Sequence, residues 1–245
     1  MITRHHLGLA FGSMSILYFP LFSQNPLAFA AISAGVCTGV VLPDIQMKRP
    51  RRSGALFLAW LLVQVFKKSV LNMYLFLYRQ TLGINPPAGD KRLTHSLPGL
   101  LFLTGILGSP IILILWMFPA DQGFHQIRIF LAGIIMGLLL HFVEDTCTKK
   151  GVYPFYPFSE TCRIAGSIRP CNRNDPRIRL FHLYLGLGII AIFLLYCTGI
   201  CPEYLKWPVS IAALGGYTVL MLHHADVRIH LPASPATPQG MRYQD

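Results

Sequence analysis

The chain alternates between long apolar runs and short polar stretches. A membrane-spanning helix requires roughly 20 largely apolar residues, and six runs approach that length when their flanking residues are counted. They are Leu7–Phe22, Leu27–Leu42, Leu97–Phe118, Ile127–Leu140, Leu180–Ile200 and Trp207–Leu222. The pattern therefore predicts an all-α fold, a polytopic membrane helical bundle with about six transmembrane helices.

A further apolar segment, Gly54–Tyr78, is interrupted by Lys67 and Lys68. If this segment crossed the membrane, His95 would lie on the opposite side from Asp44. We therefore interpret it as an interfacial or re-entrant helix, with its basic groups among the lipid head groups.

The order of these segments indicates one folded unit. Residues 1–225 are predicted to form a single membrane-embedded helical domain, whose motif-bearing core covers residues 1–160. Residues 226–245 contain three prolines and little apolar content. Such a composition cannot bury enough apolar surface to order itself, so we expect a disordered C-terminal tail.

The basic residues lie mainly on one side of the six-span arrangement. The chain has 21 Lys and Arg against 10 Asp and Glu, and only Arg128 and Lys206 fall near the other side. Positive residues concentrate on the cytoplasmic side of membrane proteins. The pattern thus predicts a multi-pass protein of the bacterial cytoplasmic (inner) membrane, with cytoplasmic termini. Anionic lipid head groups are the expected partners of this charge, and nucleic acid is not.

Polar residues with metal-binding chemistry fall at the same predicted membrane face, at the ends of apolar segments. His141 and Asp145 are four residues apart, so on a helix they project from one side and offer a nitrogen and a carboxylate oxygen to a metal. For this pair alone, a capped helix end at the membrane surface is the favoured interpretation. Further candidates at that face are His5, His6, Asp44 and His95.

Glu144 lies next to Asp145, but adjacent residues on a helix point about 100° apart. We interpret it as a lipid-interface or loop partner. Lys91, Arg92 and Lys149 are near the candidate ligands in sequence. They would suit an anionic substrate, although membrane topology alone can also explain them.

The chain resembles the YdjM-type family of bacterial membrane-bound proteins over about residues 1–160. The family pattern has an early His, then LPDID, HRGxTHS, and H-x-x-x-D-x-x-T-x-x-G before an aromatic-proline stretch. The corresponding segments here are His5-His6, Leu42-Pro43-Asp44-Ile45-Gln46, Gly89-Asp90-Lys91-Arg92-Leu93-Thr94-His95-Ser96, His141–Gly151 and Tyr153–Phe158. Two positions depart from the pattern: Gln46 replaces its second aspartate, and Asp90 replaces its first histidine.

The resemblance implies a metal-dependent hydrolase, with a distant similarity to zinc phospholipase C-like enzymes. One to three divalent ions are expected, with zinc the first choice and manganese or iron also suitable. The implied metal ligands are His5, His6, Asp44, Asp90, His95, His141 and Asp145. Of these, Asp44, Asp90, His95 and Asp145 would also form the catalytic set, with Lys91, Arg92 and Lys149 binding substrate.

These features together predict a membrane-bound enzyme that cleaves a phosphoester of a lipid or lipid-linked substrate with metal-activated water at the cytoplasmic face. One alternative is a non-enzymatic membrane protein with a structural or sensory metal site. A transporter is disfavoured, because transporters place polar groups in broken helices near the bilayer midplane. The midplane segments here are apolar apart from Gly, Ser and Thr.

Overall fold

The computed structural model describes residues 3–44, 72–73, 75–83, 90–117, 122–170, 172 and 175–231. The long helices in this part of the chain are α1 (Thr3–Gln24), α2 (Pro26–Val41), α3 (Leu97–Met117), α4 (Gln122–Thr146), α5 (Arg177–Cys197) and α6 (Glu203–His224). Two short 3-10 turns, Leu42–Asp44 and Lys91–Leu93, follow α2 and precede α3. The predicted all-α class is confirmed.

Four segments are long and apolar enough to cross a membrane: Pro26–Asp44, Phe124–Thr146, Arg177–Cys197 and Glu203–His224. All four were predicted spans. The helix α3 contributes a shorter apolar segment, Leu97–Ser109, so the total of six spans stays a prediction. The proposed interfacial helix Gly54–Tyr78 lies almost wholly outside the described residues.

The first helix, α1, lies among the others and contacts α2, α4, α5 and α6. It is buried on more than one side: Leu9 and Met14 are almost inaccessible, and so is the hydroxyl-bearing Ser13. Because its N-terminal turn reaches the ends of α2 and α4, this packing brings His6 to the candidate site.

The helices α2 and α4 pack backbone against backbone. Gly35 and Gly39 on α2 face Gly133 and Gly137 on α4, and a Cβ atom added at any of them would lie closer than 3.0 Å to a main-chain carbonyl oxygen of the other helix. Small residues spaced four apart allow such close approach in membrane helices. This contact sets the end of α2 beside the end of α4.

The segment after α4 folds back into a short two-stranded sheet. Strand β1 (Arg163–Ala165) pairs antiparallel with β2 (Arg228–His230), with Ile164 opposite Ile229. The first residues after the predicted domain boundary at 225 therefore contact the loop that follows α4. Residues 232–245 lie outside the described part of the chain, and the predicted disorder of the tail stays a prediction.

Candidate metal centre

Four separate segments meet at one end of the bundle. They are the first turns of α1, the 3-10 turn after α2, the turn before α3, and the last turns of α4. Their side chains at the meeting point are His6, Asp44, His95, His141 and Asp145. Sequence spacing alone placed each of these at a helix end, and helix packing brings them into contact.

His141 lies at the centre of this cluster and is only 1% exposed. Its Nδ1–H donates to the Val40 carbonyl oxygen at 2.7 Å, because a carbonyl can only accept. In the neutral imidazole, the Nε2 atom then carries the lone pair. It is buried, has no hydrogen-bond partner among the described residues, and lies 3.5 Å from Asp145 Oδ2.

The imidazole of His6 stacks on that of His141, with ring centroids 4.1 Å apart. Its Nδ1–H donates to Glu144 Oε2 at 2.6 Å. Its buried Nε2 lies 3.3 Å from Asp145 Oδ1 but forms no hydrogen bond within the described residues. A second imidazole lone pair therefore faces the same carboxylate.

His95 approaches from the turn before α3. Its Nδ1–H donates to the Lys91 carbonyl oxygen at 2.8 Å, while Nε2 lies 3.7 Å from Asp44 Oδ1 and 3.5 Å from Asp145 Oδ2. The Thr94 hydroxyl donates to the Pro43 carbonyl oxygen at 2.9 Å. That bond ties the turn of His95 to the turn of Asp44.

These side chains form two groups of three donors that share His141. One group is His6, His141 and Asp145, the other is Asp44, His95 and His141, and within each group the donor atoms lie within 4.8 Å of one another. Tetrahedral ligands about 2.1 Å from a zinc ion are about 3.4 Å from each other. The imidazole–carboxylate separations of 3.3–3.7 Å in this cluster are close to that value.

The donor set also fits a cation electrostatically. Three imidazole nitrogens and two carboxylates converge with little solvent, and a divalent cation among them would compensate the negative charge of the two carboxylates. Hydrogen bonds at each Nδ1 fix the ring orientation, as in histidines that bind metals. The residues present therefore fit a divalent metal.

A cavity of about 560 Å³ opens beside the cluster, and Asp44, His95 and Asp145 form part of its wall. The predicted substrate-binding residues Lys91, Arg92 and Lys149 all line it. The other basic residues of the wall are Lys150, Arg163 and Arg169.

The sequence of the chain matches the YdjM inner membrane protein family over residues 1–225. The chain belongs to this family. No curated protein and no solved structure is significantly similar to it. The YdjM match confirms the resemblance seen in the motifs and extends it through α5 and α6. Together with the apolar helices, it makes the chain a membrane protein of an inner-membrane family, while the side on which the termini lie stays a prediction.

The early-histidine motif of the YdjM pattern corresponds to two adjacent residues here, and the structure distinguishes them. His6 joins the cluster. His5 is only partly buried, and its ring lies 5.9 Å from that of His182 on α5. The structure therefore does not bring His5 to the candidate metal centre.

Asp90, which replaces a histidine of the YdjM pattern, belongs to neither donor group. Its carboxylate accepts three hydrogen bonds from the Arg92 side chain, at 3.1, 2.9 and 2.7 Å, and one from the Tyr156 hydroxyl at 3.1 Å. Burial opposes ionisation of Asp90, but these hydrogen bonds outweigh it and lower its pKa. The structure therefore does not bring Asp90 to the candidate metal centre, and its hydrogen bonds instead hold the turn that carries Lys91 and His95. Its ligand and catalytic roles stay predictions. Gln46 lies outside the described residues.

Glu144 is the residue of the site that sequence reasoning missed. It is 2% exposed and accepts the Nδ1–H of His6. The interpretation as a lipid-interface or loop partner was wrong, because α1 packs against the face of α4 that lies about 100° from Asp145. The feature of the sequence that could have indicated its role is an acidic residue next to Asp145 at the end of an apolar helix.

Replacing Glu144 with leucine should weaken metal binding by about 10- to 100-fold, the usual cost of losing a partner that orients a ligand. Glu144→Gln should have a smaller effect, because the amide oxygen can still accept from His6. Competition with a chelator measures the affinity, and Glu203→Gln, on an exposed residue at the start of α6, is the control. Unchanged affinity in folded Glu144→Leu protein would contradict this role.

Proposed function

We propose that the protein is a membrane-bound metal-dependent hydrolase that cleaves a phosphoester of a lipid or lipid-linked substrate. The observation that carries the proposal is the cluster of three imidazoles and two carboxylates, whose possible ligand atoms converge at one end of the bundle beside a cationic cavity. Catalytic metal sites use this kind of donor set and leave a position open.

The roles of the side chains follow from their positions. His6, Asp44, His95, His141 and Asp145 would hold the metal. A divalent ion in such a site supplies activation of a water nucleophile and stabilises negative charge on phosphoryl oxygens. Zinc is the first choice, because imidazole and carboxylate ligands separated by 3.3–3.7 Å suit its small tetrahedral shell.

Basic side chains beside the cluster would bind the phosphoester. Lys91 Nζ lies 3.5 Å from Asp44 Oδ1, so it can contact both a ligand carboxylate and a bound phosphoryl oxygen. Lys149 and Arg92 line the same cavity. The cavity adjoins Asp44, the last residue of an apolar span, so a substrate anchored in the bilayer can place its head group there.

The proposal is tested by removing the metal from detergent-purified protein. We expect elemental mass spectrometry to find at least one tightly held transition metal. We also expect a chelator to abolish hydrolysis of p-nitrophenyl phosphate and phospholipid vesicles, and zinc to restore it. The helices should remain folded, because apolar packing forms most of the bundle.

Two results would reject this function. Protein that holds no metal after gentle purification and zinc or manganese addition has no metal centre. Protein that unfolds when chelated, and hydrolyses nothing when loaded, instead has the structural site that was the alternative expectation.

A further inference from the structure

We infer that the cavity beside the cluster recognises a terminal phosphate monoester in preference to a phosphodiester. This inference rests on the proposed function, because it names the substrate class for the same site. A phosphate monoester carries about −1.5 to −2 charges at neutral pH, whereas a phosphodiester carries one.

The charge of the cavity wall is the first observation. Six of its residues are basic, and the acidic ones are the two candidate metal ligands Asp44 and Asp145. Arg92 is neutralised by Asp90 at 2.7 Å and Glu160 at 3.2 Å. A positive surplus therefore remains before any metal is bound.

The positive surplus is concentrated on three side chains. Lys149, Lys150 and Arg169 line the cavity and are exposed to solvent. Within the described part of the chain, no acidic side chain lies within ion-pair distance of them. Their charges are therefore available to a ligand.

The second observation is that Lys149 and Lys150 belong to a turn whose backbone is held by hydrogen bonds. Arg163 donates from Nε to the Lys150 carbonyl oxygen at 3.1 Å and from Nη2 to that of Lys149 at 2.5 Å. The Lys149 backbone N–H also donates to the Ile168 carbonyl oxygen at 2.8 Å. A charge that only sets membrane topology needs no such fixed position.

The backbone of the turn is also restricted at the residue after Lys150, which is Gly151. Gly151 has a φ of 61°, in the left-handed region, and an added Cβ would collide with the backbone of Ile164. A side chain at this position would be strained by both effects. The lysines are therefore held where the cavity opens.

The chemistry of the ligand follows from this arrangement. A terminal phosphate has three unesterified oxygens and can contact several cations at once, whereas a diester has two. A choline or ethanolamine head group would add a cation to a cavity that already has a positive surplus, and like charges repel. A phosphate monoester matches the cavity best, whether a lipid or a small molecule carries it.

The test compares equilibrium binding of three radiolabelled probes to the metal-loaded protein in detergent. They are 1-oleoyl lysophosphatidate, 1-oleoyl lysophosphatidylcholine and glycerol 3-phosphate. We expect lysophosphatidate to bind at least about tenfold more tightly than lysophosphatidylcholine, as hydrogen bonds between charged groups imply. Tighter binding than glycerol 3-phosphate indicates a lipid ligand, and equal binding indicates a small phosphate ester; both support the monoester preference.

The variant Lys149→Gln combined with Lys150→Gln should weaken lysophosphatidate binding by about tenfold. Arg179→Gln is the control, because Arg179 is exposed at the start of α5 and does not line the cavity. Equal binding of the two lysolipids, or an equal loss in the control variant, would overturn the inference.

Hydrolysis rates separate this inference from the proposed function. Selective binding of the monoester without hydrolysis of any probe would support the inference and reject the hydrolase. Hydrolysis of phosphodiester lipids by a protein without monoester selectivity would support the hydrolase and reject the inference.

Discussion

Replacing His141 with asparagine should empty the cluster of metal and reduce hydrolysis to the uncatalysed rate. His141 is the residue that both donor groups share. Its Nε2 can bind one ion at a time, so whichever group holds that ion loses a ligand in this variant. The loss should exceed the roughly 10- to 100-fold that removal of an orienting partner costs. Elemental mass spectrometry and phosphoester hydrolysis, on protein from the same purification, measure the two effects.

Asparagine is chosen because it separates metal binding from folding. The Nδ1–H of His141 donates to the Val40 carbonyl oxygen, and leaving that buried acceptor unpaired would itself destabilise the protein. The amide nitrogen of asparagine can make the same bond, while Nε2 is lost. A His141→Asn protein that keeps its full metal content would contradict the assignment of this ligand.

The matched variants His6→Asn and His95→Asn give the number of ions. Each residue belongs to one donor group only. If the cluster binds two ions, each of these variants should lose one and keep the other. If it binds a single ion, all three variants should lose it. The comparison needs only the molar ratio of metal to protein.

The convergence of most candidate ligands could be predicted from the sequence because each lies at the end of an apolar segment. Asp44 ends one span, and His141 and Asp145 end another. A topology that places these ends at one membrane face also places the side chains near one another. This argument gives the face and the elements, but not which side of each helix points inward.

The choice between His5 and His6 depended on that missing information. Adjacent residues on a helix differ by about 100° in direction, and the sequence does not show against which neighbours α1 packs. In the structure, His5 faces His182 and His6 faces His141. The sequence also did not show that Glu144 belongs to the site, because Glu144 contacts His6 on α1 and not His141 or Asp145 on its own helix.

Asp90 shows a different limit of prediction from sequence. Substituting one ligand type for another is chemically reasonable, but a carboxylate two residues before an arginine has a local partner. Arg92 donates to it from both the backbone and the side chain. Similarly, the three-residue strands β1 and β2 have too few residues for a sequence pattern, and they form only because distant segments meet.

The second large effect is expected at the contact between α2 and α4, away from the ligands. Gly39→Ala should lower the free energy of unfolding by roughly 1–3 kcal/mol or more, as overpacking does in cores. The new Cβ would lie closer than 3.0 Å to the carbonyl oxygen of Ile134. A main-chain atom cannot move away by changing a rotamer, so the two helices must separate.

Separation of the helices should also weaken metal binding. The Val40 carbonyl oxygen that orients His141 belongs to the residue after Gly39, and Asp44 follows at the end of the same segment. Thermal unfolding in detergent and metal content should therefore fall together in Gly39→Ala. Gly186→Ala on α5 is the control, because an added Cβ there meets nothing within 4 Å.

In the control, alanine is a better helix former than glycine, so its stability should stay the same or rise. A Gly39→Ala protein as stable as Gly186→Ala, with its metal intact, would show that α2 and α4 are not held as closely as the structure indicates. Loss of metal without loss of stability would instead show that the helix contact serves chiefly to place Asp44 and His141. In both cases, the effect of one methyl group distinguishes a contact that holds the bundle together from one that positions its ligands.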